Sequence, residues 1–94
     1  MNNLEARQVI EGELLPYRDK PYDELRNLIG GELITGEIAA RSGTWYQFEV
    51  EVIWDDKRDG NIRVMGAIDD GGWRACSPLC SDFIKAPDNT FVGE

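Results

Sequence analysis

The middle of the chain alternates apolar and polar residues over two stretches that a short polar loop separates. The first stretch covers residues 46–54, the second covers residues 62–68, and the loop between them ends at Gly60. A period of two places every second side chain on the same face of a strand. Two such runs around a loop that contains Gly predict an antiparallel hairpin with one face in a core.

The residues before this hairpin predict two short helices. The first is expected to be capped by Asn3, to end or weaken at Gly12 and to stop before Pro16, because proline removes a backbone donor and clashes with the preceding turn. The second is expected either to be capped by Asp19 or to begin at Pro21, and to end at Gly30 and Gly31, with its apolar side chains on one face. Helices this short are marginal alone, so they must pack against the sheet.

From residue 32 onward the pattern predicts strands. They are expected at residues 33–41, 46–54, 62–68, 73–75, 82–86 and 90–92, with Pro78 interrupting the ladder. We therefore predict a single α+β domain over residues 1–94, with a helical part (1–30) and a sheet part (32–92). Two short N-terminal helices should pack on one face of a meander sheet of four to six antiparallel strands.

A three-residue turn at Ser42, Gly43 and Thr44 would determine how the first two strands pair. The expected pairs are Ala40–Tyr46, Ile38–Phe48, Gly36–Val50 and Ile34–Val52 in the first hairpin, and Trp54–Ile62, Val52–Val64, Val50–Gly66 and Phe48–Ile68 in the second. A slip of one residue would place polar side chains in the core, which burial costs disfavour. Gly36 and Gly66 would then flank Val50 and leave room for the second helix.

The same pairing predicts the composition of the opposite, outer face of the sheet. Glu37 should lie directly opposite Glu49, as an unfavourable pair of like charges, and Trp45 should lie opposite Arg41, where a cation–π contact can form. Large apolar side chains share this face with the carboxylates. The candidate partner-binding residues are Glu37, Arg41, Trp45, Glu49, Glu51, Arg63 and Met65.

The charge of the chain limits its partners. The formal net charge is -8, from 18 carboxylates against 10 basic side chains. A phosphate backbone or an anionic membrane surface is therefore a poor partner, because binding to either depends on Lys and Arg. A basic protein would be favoured, since opposite potentials speed encounter. Alternatively, the charge serves only to keep the protein soluble.

The chemistry available to the chain is narrow. It contains no histidine, which removes Ser-His-Asp and Cys-His nucleophilic machinery and the usual general base. Cys76 and Cys80 are separated by three residues, one more than in a typical redox pair, and are expected to be free, partly buried thiols. Two cysteines without histidine do not suit structural zinc, and no phosphate-binding loop motif is present.

The sequence allows three interpretations of the outer face. It is a solvated sheet face, or an acidic partner-binding surface with aromatic anchors, including a homodimer interface, or a divalent cation site at Glu37, Glu49 and Glu51. The cation site is the weakest of the three, because calcium needs six or more oxygen ligands and a flat strand face supplies too few.

We expect a small acidic cytoplasmic domain that binds a protein, either a basic partner or a second copy, through the outer face and has no catalytic activity, cofactor or metal. An immunity-type inhibitor of a basic toxin enzyme is one specific form. The alternatives are a small enzyme that uses paired carboxylates and a small-ligand-binding protein. The chain begins without a signal-peptide pattern and contains no apolar run of membrane-spanning length. In length and composition it is similar to small bacterial proteins.

Overall fold

A computed structural model describes residues 1–72 and 78–94. The elements are helices α1 (Asn3–Arg18) and α2 (Tyr22–Leu28) and strands β1 (Ile34–Ala39), β2 (Trp45–Trp54), β3 (Ile62–Asp69) and β4 (Leu79–Lys85). The strands form one antiparallel sheet in the order β1-β2-β3-β4. The predicted α+β class is confirmed, with four strands in the described part. The strand expected at residues 73–75 lies outside the described residues, and the one expected at 90–92 contributes a single bridge between Phe91 and Lys85.

Helix α1 is longer than the sequence predicts. Its cap is Asn2 rather than Asn3, since the Asn2 side chain accepts a hydrogen bond from the Glu5 amide at 3.1 Å. Both Gly12 and Pro16 lie inside the helix. Burial of one apolar stripe offsets the cost of these two residues. The stripe consists of Ala6, Ile10 and Leu14, all buried on the sheet.

Helix α2 follows directly and matches its prediction closely. It starts after Pro21, which takes the N-cap position, and the chain leaves it through Gly30 at φ +79°. Tyr22 and Leu25 are its buried residues. The Tyr22 hydroxyl donates to the Gly60 carbonyl at 2.7 Å, so α2 also holds the loop between β2 and β3. Neither helix of the described residues combines the length and the apolar character that a bilayer span requires.

The pairing of β2 with β3 is as predicted, but the pairing of β1 with β2 is shifted by two residues. Gly36 lies opposite Phe48 rather than Val50, and Ile38 lies opposite Tyr46. A shift of two keeps every side chain on its predicted face, because side chains alternate with a period of two. The predicted face of each side chain is therefore confirmed, whereas the predicted residue pairs across the first hairpin are wrong.

The turn explains this shift. The Ala40 amide donates to the Thr44 carbonyl and the Gly43 amide donates to the Ala40 carbonyl, both at 2.9 Å. The three loop residues are therefore 41–43, one position earlier than predicted. Gly43, at φ +90°, takes the left-handed position that closes such three-residue hairpin loops. Placing Gly last in the loop, rather than in its middle, would have predicted the observed pairing.

Gly66 marks the closest approach of a helix to the sheet. A Cβ atom at this position would lie 2.7 Å from Ile10 Cγ1 and 3.2 Å from Leu14 Cδ2. The helix above Gly66 is therefore α1, whereas the sequence pattern predicted the second helix at this place. Gly36 has a separate role. A Cβ atom at this position would lie only 2.7 Å from the ring of Phe48, so the ring can approach the backbone of β1 because residue 36 has no side chain.

The core lies between the helices and the inner face of the sheet, in two adjoining clusters that both contact Phe48. One cluster contains the buried residues Leu14, Tyr22, Leu25, Val50, Val52, Ile62, Val64 and Phe83. The other contains Ala6, Ile10, Tyr46, Ile68 and Leu79. Strand β3 alternates between buried and half-buried residues along its whole length, as expected for a central strand with one face in the core.

Tyr46 ties this core to the first turn of α1. Its side chain is 1% exposed, and its hydroxyl donates to Glu5 Oε1 at 2.8 Å. Burial, followed by this hydrogen bond and the negative charges of Glu5 and Asp70, raises the pKa of Tyr46 from 10.0 to about 12.

Alkaline pH should therefore weaken the fold through Tyr46. The unfolded chain ionises this phenol near its ordinary pKa and the folded chain near pH 12. Its contribution to stability is complete below pH 10 and is lost as the pH rises toward 12. Between pH 8 and pH 11, the difference in unfolding free energy between the wild type and Tyr46→Phe should shrink by about 1.4 kcal/mol.

Urea denaturation at each pH measures this difference. Lys85, whose pKa is lowered mainly by burial, has the opposite pH dependence, but it is present in both proteins and cancels in the comparison. A difference that stays constant up to pH 11 would contradict the raised pKa of Tyr46.

Candidate functional site

The outer face is the side of the sheet turned away from both helices. It consists of Thr35, Glu37 and Ala39 from β1, Trp45, Gln47, Glu49, Glu51 and Ile53 from β2, Arg63, Met65, Ala67 and Asp69 from β3, and Cys80, Asp82 and Ile84 from β4. No helix or strand of the described residues lies over it, and its positions are exposed or half-buried. These alternating positions form one broad, accessible surface.

The carboxylates on this face are arranged differently from the prediction. Glu37 lies opposite Gln47, and Glu49 lies opposite Thr35. The predicted direct pair of Glu37 with Glu49 is therefore wrong, because the first hairpin pairs two residues away from the predicted register. Each glutamate of this pair has an uncharged residue across the strand instead, so the face holds its negative charge without the directly opposed like charges that destabilise a sheet.

The predicted contact between Arg41 and Trp45 is not formed for the same reason. Trp45 lies opposite Ala39, while Arg41 belongs to the exposed turn and is not part of the outer face. With a small neighbour across the strand, the Trp45 side chain remains 64% exposed. Arg41 therefore lies in the turn beside the outer face, and Trp45 is a large accessible aromatic group on it.

Negative charge is concentrated on the outer face. Its carboxylates are Glu37, Glu49, Glu51, Asp69 and Asp82, and its basic group is Arg63. These five acids and one base leave a net charge of -4 on the face, half of the -8 carried by the whole chain.

Arg63 is paired with carboxylates of the same chain. Its Nε donates to Asp55 at 2.9 Å, and a second guanidinium nitrogen donates to Asp82. The hydrogen bond to Asp55 is the main reason that the pKa of Arg63 is raised. Arg63 therefore joins β3 to β4 through Asp82 and to the loop between β2 and β3 through Asp55.

Two shallow depressions lie on this face. The larger, of about 370 Å³, is lined by residues that include Glu37, Gln47, Glu49 and Asp69. Glu37, Gln47 and Glu49 are exposed in this depression, and Asp69 is half-buried. A smaller depression, of about 150 Å³, has a lining that includes Leu33 and Met65 beside Glu49 and Glu51.

A metal centre does not form on this face within the described residues. No three Cys, Asp or Glu side chains of residues 1–72 and 78–94 come close enough together to hold a metal ion. The strand spacing explains this, since Glu37, Glu49 and Glu51 are spread along two neighbouring strands of a flat surface. The three glutamates therefore do not form the cation-binding cluster considered from the sequence.

Sequence reasoning missed the three outer-face residues of β4, which are Cys80, Asp82 and Ile84. Asp82 lies opposite Met65, and Cys80 lies opposite Ala67. Cys80 is exposed, so its predicted partial burial is wrong, while Cys76 lies outside the described residues. The available signal was the spacing of Leu79 and Phe83, which places both on the inner face and extends β4 three positions before its predicted start.

No protein-family model, curated protein or solved structure matches this chain. Its function is therefore inferred from the geometry and the charge of the outer face.

Proposed function

We propose that this chain is a small protein-binding domain and that its outer face binds a protein with a basic surface. The observation that supports this most is the presence of five carboxylates and an exposed tryptophan on the side of the sheet that no helix or strand of the described residues covers. The helices and the core occupy the other side, so the outer face is free to differ in composition without loss of the fold.

Charge complementarity favours a basic partner. Glu37, Glu49 and Glu51 are exposed, so they can approach Lys or Arg side chains without a large desolvation penalty. A surface with a single sign of charge attracts a partner of the opposite sign and accelerates encounter. The attraction should fall with added salt, because exposed charges are screened within about 10 Å at 0.1 M ionic strength.

Large apolar side chains on the outer face can make van der Waals contacts with a partner in addition to the electrostatic attraction. Trp45 is exposed at the start of β2, and Met65 is half-buried between Glu51 and Asp82. Trp and Met are enriched in protein interfaces, where a few large side chains carry most of the binding free energy. An aromatic side chain with carboxylates around it on a broad surface fits a protein partner better than a small basic molecule.

A homodimer through this face is the weaker version of the hypothesis. Two copies would bring a face of net charge -4 against an identical face, and such like-charge contact opposes association. Arg63 cannot offset this, because it is already bonded to Asp55 and Asp82. A basic partner neutralises the same carboxylates and therefore explains the face better.

Charge reversal tests the proposal. The double variant Glu49→Lys, Glu51→Lys should lose basic proteins that the wild type retains in a lysate pull-down at low salt. The control, Glu11→Lys with Asp23→Lys, makes the same change in net charge at exposed helix positions and should retain them. Captured proteins are identified by mass spectrometry and compared between the variants. An identical set from the wild type and both variants would overturn the proposal.

A further inference from the structure

Strand β1 forms an open edge of the sheet. Among residues 1–72 and 78–94 it pairs with β2 alone, and the bond from the Ala40 amide to the Thr44 carbonyl places residues 38, 36 and 34 in hydrogen-bonded pairs with β2. The backbone amides and carbonyls of Thr35, Glu37 and Ala39 consequently point away from the sheet. Within the described residues they have no backbone partner. Such a row of unpaired groups is a template for an added strand.

The inner side of this edge is apolar and incompletely covered. Helix α1 packs mainly on β3 and β4, and α2 packs on β2 and β3, so both helices lie away from β1. Ile34 and Ile38 are therefore half-buried, whereas the inner side chains of β3 are buried throughout. The ring of Phe48, also half-buried, lies over Gly36 toward the same edge. An apolar side chain beside β1 would complete the core here.

The outer side of the same edge is acidic. Glu37 is exposed in the middle of β1, and Glu49 follows on the adjacent strand, diagonal to it. A residue beside β1 whose side chain points outward would therefore contact carboxylates, and one that points inward would contact apolar groups. Successive residues of an extended segment alternate between these two sides.

We propose that the β1 edge accepts an extended segment of the partner as a fifth strand, with Lys or Arg on the outer side and apolar residues on the inner side. This inference rests on the proposed function and specifies how the basic partner engages. Main-chain hydrogen bonds to residues 35, 37 and 39 would supply affinity, and the alternation of side chains would supply specificity, as in other cases of strand addition.

A second copy of the chain fits this edge less well than a basic segment. Antiparallel pairing of β1 with itself about Glu37, the middle one of the three residues whose amides point outward, would bring Glu37 beside Glu37 of the other copy, a destabilising pair of like charges. A charged residue in the middle of an edge strand is a recognised protection against self-pairing. The same residue attracts a basic strand.

Two synthetic octapeptides of identical composition test the proposal. One alternates Lys and Val, and the other places all Lys residues before all Val residues, so that it cannot direct its charges to one side. In titrations of 15N-labelled protein, the alternating peptide should bind roughly tenfold more tightly than the block peptide. On binding, amide exchange should slow roughly tenfold at Thr35, Glu37 and Ala39, whose amides the strand would occupy.

A proline substitution separates strand addition from charge attraction. Thr35→Pro removes one outward amide that the β1–β2 ladder does not use, so the ladder itself is preserved. It should weaken the alternating peptide roughly tenfold, while Thr35→Ala should change its affinity less than about twofold. If Thr35→Pro does not fold, the peptide can be changed instead. A Lys–Val alternating peptide that is N-methylated at every second residue cannot donate main-chain hydrogen bonds to β1, and it should therefore bind about as weakly as the block peptide.

Each remaining outcome contradicts the inference. Equal binding of the two peptides, without slower exchange at residues 35, 37 and 39, would overturn strand addition and leave the acidic face intact as the docking surface. Absence of binding by both peptides would overturn strand addition, and the charge-reversal pull-down would then decide the proposed function separately. Slow exchange at these amides in the free protein, with a doubled mass in light scattering, would show a second copy on the edge instead.

Discussion

Replacing Gly66 with valine is expected to lower the free energy of unfolding by about 3 kcal/mol, the upper part of the range for overpacked cores. A Cβ alone at this position would lie 2.7 Å from Ile10 Cγ1 and 2.8 Å from Ile10 Cδ1. Both atoms belong to α1, and Ile10 is fully buried, so it has no free space to move into. The helix as a whole must therefore move away from β3, which opens gaps along the core.

Gly66→Ala and Gly12→Ala complete the experiment. Gly66→Ala should destabilise less than valine does, because it adds one carbon rather than three. Gly12 lies in the exposed middle of α1, and no atom lies within 4 Å of the position that its Cβ would take. Gly12→Ala should therefore stabilise by up to about 1 kcal/mol through helix propensity. Urea denaturation followed by far-UV circular dichroism measures all three. A destabilisation by Gly66→Val below about 1 kcal/mol would contradict the close packing of α1 on β3.

The alanine variant at Gly66 also separates the two faces of the sheet. Gly66 faces the helices, whereas the carboxylates of the outer face lie on the other side. Gly66→Ala, if folded at low temperature, should therefore capture the same basic proteins as the wild type. Loss of partners by this variant without unfolding would indicate that binding depends on the helices instead.

Lys85→Met is expected to lower the free energy of unfolding by about 2–3 kcal/mol, as for the loss of hydrogen bonds made by a charged group. Lys85 is 5% exposed, and its ammonium donates to the carbonyls of Arg18 at 2.8 Å and Lys20 at 2.7 Å. These carbonyls lie at and just after the end of α1, where the helix leaves acceptors without internal donors. Methionine has a similar length but leaves both carbonyls without this donor.

Lys20→Met is the matched control for this substitution. Lys20 is partly exposed and forms a 3.7 Å ion pair with Glu24 one turn away, a contact that contributes little in water. Its replacement should change stability by less than about 0.5 kcal/mol. Equal effects of the two substitutions in urea denaturation at neutral pH would show that Lys85 does not hold α1 to β4.

Lys85 also shows why a charge can be buried in this small fold. Burial, followed by the positive charge of Arg18, lowers the pKa of its ammonium, while Asp19 opposes that shift. The face of the Phe91 ring lies 4.7 Å from Nζ and adds a cation–π contact. The ammonium is thus stabilised by carbonyl dipoles and an aromatic ring rather than by a bonded carboxylate.

In the candidate site, the periodicity of the sequence predicted the face of each side chain but not its neighbours across the first hairpin. The outward positions of Glu37, Trp45, Glu49, Glu51 and Met65 were predictable, because alternation alone assigns each residue of a strand to one of two faces. Their neighbours across the first hairpin were not, because a shift of two residues leaves every face unchanged. The two pairings differ in the place of Gly43 in the loop, and the hydrogen bonds of the turn show that it is the last of residues 41–43.

The helices show a different limit. Propensity places a break at Gly12 or Pro16, yet α1 continues through both to Arg18. The energy of burying Ala6, Ile10 and Leu14 against the sheet exceeds the local cost, and this energy exists only once the sheet is present. Which helix covers Gly66 likewise depends on the path of the whole chain, which no local pattern encodes.

The sequence by itself therefore determined the class of the fold, the inner and outer faces of its central strands, the register of the second hairpin and the acidic character of the chain. These follow from short-range periodicity and composition. Tertiary structure decided that α1 runs unbroken over Gly66, that Arg63 is bonded to Asp55 and Asp82, and that β1 is an open edge beside exposed carboxylates. These depend on contacts between residues far apart in the chain, where packing and hydrogen bonding outweigh local preference.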